Sequence, residues 1–108
     1  MGERSLHMLN VEQSVNIRTN LGLAEMTGSP IRVEVTAVPP DSRALVRTEL
    51  TLGANEFRQF SNILAQMGLP TVYNARISVR VIDGAGRLTA YASAIDNRTD
   101  DAIFVSAK

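Results

Sequence analysis

The chain has 108 residues, enough for one domain whose core needs no metal or disulfide staple. Apolar residues make up 44% and charged residues 20%, the balance of a soluble globular domain, and no apolar run approaches the ~18 residues a bilayer-spanning helix needs. Eleven basic residues offset eleven acidic ones, so no net field draws the chain to nucleic acid or an anionic membrane, and the lack of cysteine excludes disulfides, thiolate catalysis and cysteine-ligated metals.

Residues 1–13 read as an amino-terminal extension or a first edge strand, and residues 14–108 as a single domain. The start, Met1-Gly2-Glu3-Arg4-Ser5, has no apolar h-region, which points to an intracellular protein or to a segment of a longer exported chain. Val15, Ile17, Leu21 and Leu23 alternate with Asn16, Arg18, Asn20 and Gly22 up to the turn signal Thr27-Gly28-Ser29-Pro30, which predicts a strand. The clearest strand follows: Ile31, Val33, Val35 and Ala37 share one face, and Arg32, Glu34 and Thr36 the other. Pro39-Pro40-Asp41-Ser42 breaks the ladder, and alternation resumes through Ala44, Val46, Leu50 and Leu52, which predicts an antiparallel hairpin.

Phe57, Phe60, Leu64 and Met67 recur at spacings of three and four, predicting a short helix that starts between Asn55 and Ser61 and ends at Gly68 and Pro70. Its aromatic stripe reads as core, since a lone helix beside a sheet must bury one face. Two strand-like runs then flank Asp83-Gly84-Ala85-Gly86-Arg87 and read as a final hairpin. Its register stays open: a simple turn sets Ile77, Val79 and Val81 opposite Thr89, Tyr91 and Ser93, whereas a glycine bulge aligns them with Leu88, Ala90 and Ala92. The small row Ala90, Ala92, Ala94 calls for a large cover, either the helix or arginine stems. After the polar block Asp96-Asn97-Arg98-Thr99-Asp100-Asp101, Ile103-Phe104-Val105 forms a last short strand. The expected fold is mostly β: about six antiparallel strands in an immunoglobulin-like or similar β-sandwich, with one short helix.

The chemistry this chain can perform is narrow. His7, the only histidine, lies near the amino terminus without an evident partner, and no serine stands in a nucleophile-elbow context. Asp96, Asp100 and Asp101 offer oxygen ligands for calcium, but the spacing is not that of a twelve-residue calcium loop and Arg98 interrupts it, so a structural loop is expected and no metal or cofactor. Sugar-binding sandwiches present aromatic platforms; here at least three of Phe57, Phe60, Tyr73, Tyr91 and Phe104 are expected in the core, leaving Tyr73, on the loop Leu69 to Asn74, as the candidate ligand contact. Arg18 and Asp96 are expected to pair as a structural polar latch, with Asn20 and Asn97 bonding to loop main chain.

The runs Arg18-Thr19-Asn20-Leu21-Gly22-Leu23 and Tyr91-Ala92-Ser93-Ala94-Ile95-Asp96-Asn97-Arg98-Thr99, with Glu56-Phe57-Arg58-Gln59 between them, resemble an uncharacterised β-rich, repeat-type module of large exported bacterial proteins. The likeness runs from about Arg4 to Ala107, with Asp100-Asp101-Ala102 departing from it where glycine or proline is common. It implies a non-catalytic accessory role at the cell surface or outside the cell, spacing or docking neighbouring domains or a protein partner. The composition leaves open a homo-oligomer joined through a strand edge. The alternatives are a glycan or small-ligand binding module and a small hydrolase.

Overall fold

The structure, a computed structural model, describes residues 4–41 and 43–106. Residues 1–3, Ser42 and residues 107–108, which the sequence reading assigned to the amino-terminal extension, the proline turn and the chain's end, lie outside the described residues.

Among the described residues, eight strands and one helical turn follow one another as β1 (Ser5–Gln13), β2 (Ile17–Glu25), β3 (Ile31–Val38), β4 (Val46–Leu52), β5 (Phe57–Phe60), α1 (Ile63–Gln66), β6 (Val72–Asp83), β7 (Leu88–Asp96) and β8 (Ala102–Ser106). They form two four-stranded antiparallel sheets, ordered β1-β6-β3-β4 and β5-β2-β7-β8, packed face to face as a sandwich. The period-two pattern sets what faces inward. Ile31, Val33, Val35 and Ala37 of β3 are buried, as are Ala75, Ile77 and Val79 of β6, and opposite them lie Leu21 and Leu23 of β2 with Leu88, Ala90 and Ala92 of β7. The expected hairpin around the proline turn is present: β3 pairs antiparallel with β4 from Ile31 opposite Leu52 to Ala37 opposite Val46.

Three expectations are corrected. The runs flanking residues 84–87 are not a hairpin in either register, because β6 pairs with β1 and β3 while β7 pairs with β2 and β8. Both strands carry one apolar face, and those faces can share one core only from opposite sides, so the turn carries the chain from sheet to sheet. Gly84 makes that crossing possible: its φ is 92°, and a Cβ there would overlap the carbonyl oxygen of Pro30. The small side chains Ala90 and Ala92 are therefore covered by the opposing sheet, with β1 packed against β7, and not by the helix or by arginine stems.

The helix is shorter and later than expected, four residues at Ile63–Gln66, and the residues before it form strand β5. A spacing of three fits one helix face, but in a strand it places two residues on opposite faces, and Phe57 and Phe60 do the latter. Its end is as read: Gly68, at φ 92°, donates to Ala65, and Leu69 donates to Leu64 at 2.8 Å, a Schellman closure with Leu64 and Leu69 both buried. Finally, none of the five aromatic rings is buried: Phe57, Tyr73 and Phe104 are exposed and Phe60 and Tyr91 half-buried, so the core is aliphatic.

Candidate binding surface

The outer faces of the two sheets differ in kind. On β1-β6-β3-β4 the outward residues are mainly charged or polar, Val38 and Ile82 apart, and some pair across strands, Arg32 with Glu49 and Arg80 with Glu34 at 3.1 Å. His7 lies there on strand β1, opposite Ser78, with its Nδ1 2.7 Å from the Ser78 hydroxyl. Among the described residues nothing orients the other ring nitrogen, and the pair sits on a flat, exposed sheet face. Tyr73 is 55% exposed and belongs to the start of strand β6, not to a loop, on the other sheet from the remaining exposed rings.

The outer face of β5-β2-β7-β8 carries an aromatic stripe. Tyr91 of β7 lies opposite Gly22 of β2, and its ring crosses that glycine so closely that a Cβ on Gly22 would overlap Tyr91 Cε1. The Tyr91 hydroxyl donates to Gln59 Oε1 of β5 at 2.9 Å, fixing the ring across three strands. Phe57 runs parallel to it within 10°, centroids 6.3 Å apart, and Phe104 of β8 flanks it at 5.8 Å and 57°. Phe57 is 55% and Phe104 71% exposed, so the stripe presents three neighbouring rings outside the core. The sequence signal for it was Gly22, a glycine within a strand, which marks close approach of another group.

The expected latch residues are distributed differently. Arg18 does not pair with Asp96: it donates to Asn97 Oδ1 at 2.6 Å and lies 3.5 Å from Asp100. Asp96 instead accepts from the Arg98 guanidinium at 3.0 Å and from the Arg98 main-chain N–H at 2.8 Å. Those bonds, the side-chain one foremost, hold the Asp96 carboxyl below the usual carboxylate range. Asn20 Oδ1 accepts the N–H of Asn62 at 3.1 Å, and Asn97 Nδ2 donates to the Val15 carbonyl at 3.3 Å, both on loop main chain. Of the residues of the calcium alternative, Asp96, Asp100 and Asp101, the first two lie beside arginines, and among the described residues no group of three acidic or histidine side chains is placed to hold a metal ion.

The polar residue that sequence reasoning missed is Glu25. It follows the inward parity of Leu21 and Leu23 and is buried at the end of β2. Its carboxylate accepts main-chain N–H groups from Thr27 (2.7 Å), Gly28 (2.6 Å) and Ser29 (3.0 Å), from Asn55 (3.0 Å) and from Arg87 (3.3 Å), together with the Thr27 hydroxyl. Burial pushes its pKa up, but the bonds from Asn55, Thr27 and Gly28 outweigh burial and lower it to about 2. Its parity with two leucines, just before a run of small turn residues with open N–H groups, was the available clue.

No protein-family model matches the chain, and no curated protein matches it. Among solved structures, the crystal structure of Thermotoga maritima 1070 superposes with a TM-score of 0.74 over 99% of this chain and 91% of that one, at 11% identity. At that identity the likeness shows the fold alone.

Proposed function

We propose that the chain is a non-catalytic docking module, working outside the cell as a segment of an exported protein and engaging a protein surface through the outer face of β5-β2-β7-β8. The single observation that carries this reading is the Phe57–Tyr91–Phe104 stripe. Three large rings kept out of an otherwise aliphatic core give up the stability that burying them would add. Clustered Phe and Tyr rings with few charged neighbours are the composition of interface hot spots. The Tyr91 hydroxyl is already spent on Gln59, leaving the stripe poor in free polar groups, as a protein contact prefers. The non-catalytic part of the reading is supported by the isolated setting of His7 and Ser78.

The test is photo-crosslinking in the source cell, with a benzoylphenylalanine placed at Ala24, beside Phe57 in the ladder. A discrete protein adduct that disappears with Phe57→Ala and Phe104→Ala is the expected result. A second reading, a glycan platform, is favoured by the parallel Phe57 and Tyr91 rings, which suit a flat sugar face. Absence of any protein adduct, with retention on cellulose, chitin or mucin glycans abolished by Phe57→Ala, would replace the first reading by the second.

A further inference from the structure

The two open sides of the sandwich carry complementary features that the aromatic stripe does not use. On one side the edge strands β4 and β5 stand apart, leaving a cleft of about 600 Å³ with Leu50, Phe60, Ile63 and Met67 inside and Arg47 and Arg58 on its rim. Among the described residues neither of these arginines has a carboxylate within ion-pair distance, and Glu49, also at the cleft, is engaged by Arg32. On the opposite side the free edge is β8, beside β1. Its Ile103 lies opposite Ala94, yet it is 73% exposed. Asp100 and Asp101, both exposed, lead directly into β8.

We infer that the occupant of the cleft is a second copy of this chain, with β8 of one copy laid along the free edge of β4 of the next. Each edge offers unpaired main-chain N–H and C=O groups that the other can satisfy. Ile103 then fills the apolar interior between Leu50 and Met67, and the acidic residues that lead into β8, Asp101 and the exposed Asp100 that lies 3.5 Å from Arg18, meet the basic rim of Arg47 and Arg58, so hydrophobicity and charge are complementary. The two surfaces are different patches of the molecule, so the contact is heterologous and leaves a free cleft and a free β8 at the ends, which gives an open chain of copies.

The test is sedimentation velocity of the full 108-residue chain across a concentration series at low and high salt. The expected result is a sedimentation coefficient that climbs past that of a dimer and an association weakened about tenfold by salt. Ile103→Asp and Leu50→Arg are each expected to be monomeric alone, while their mixture forms a 1:1 dimer and stops, because only one competent interface remains. If Leu50→Arg lowers the melting midpoint, Arg58→Glu on the exposed rim takes its place. A wild-type chain that stays monomeric at its solubility limit, a dimer that closes, or a variant mixture that does not associate would overturn the inference.

Discussion

At the scale of single residues, Glu25 and Gly22 matter most, and neither is a reactive group. A carboxylate whose folded pKa lies at about 2, below its ordinary 4.5, adds stability that is fully present above pH 4.5 and is lost as pH falls toward 2, because only the unfolded chain binds the proton in that window. Urea midpoints measured from pH 6 down to pH 2 are therefore expected to fall steeply below pH 4.5. In Glu25→Gln the midpoint should be lower throughout and this acid limb flatter; equal slopes in the two proteins would show that another carboxylate governs it. Gly22→Ala pushes the Tyr91 ring off the sheet. Loss of its stacking with Phe57 should cost about 1 kcal/mol in thermal unfolding and change the near-ultraviolet circular dichroism of the aromatic groups. Neither residue announces itself by composition: a buried glutamate looks like any strand-end glutamate until donors from two distant segments, at Asn55 and Arg87, join those of the adjoining turn.

At the scale of elements, strand positions were legible because alternation is local, while strand partners were not because pairing is decided by distant faces. Ile77, Val79 and Val81 declare an inward side in the sequence, but nothing nearby says that β7 faces them across the core instead of lying beside them. The aromatic residues misled for a related reason, since hydrophobicity predicts burial whether a ring serves the core or a partner. Energetics separates the two cases. Leu23→Ala, which empties a fully buried site between the sheets, should cost about 2–5 kcal/mol, whereas the exposed Phe57→Ala should cost no more than its contact with Tyr91 is worth, about 1 kcal/mol in urea unfolding. At the polar end of β2, Arg18 and Asp100 are solvent-accessible, so a double-mutant cycle between them should return a coupling under about 1 kcal/mol. The same cycle between Arg18 and Asp96 should be additive, since these residues do not meet.

At the scale of the whole molecule, one aliphatic core lies between two sheets whose outer faces are charged on one side and aromatic on the other. A single core implies one cooperative unfolding transition, with calorimetric and van't Hoff enthalpies in agreement. Within it, amide exchange should be slowest in the central strands β6, β3, β2 and β7 and faster in the edges β5 and β8, which have a neighbour on one side only. The sandwich also has two unlike ends. At one of them the loops at residues 26–30, 53–56 and 84–87 all converge on the Glu25 carboxylate. At the other, among the described residues, Arg43 of the connection at 39–45 bonds to the Thr71 carbonyl and Asn97 of the connection at 97–101 to the Asn16 and Val15 carbonyls, with no anchor in common. Natural variation and engineering should therefore divide the molecule in the same way: a grafted peptide should be accepted after Pro40, while the same graft after Ser29 or Gly86 lengthens one of three loops measured to a shared knot and loosens the other two with it.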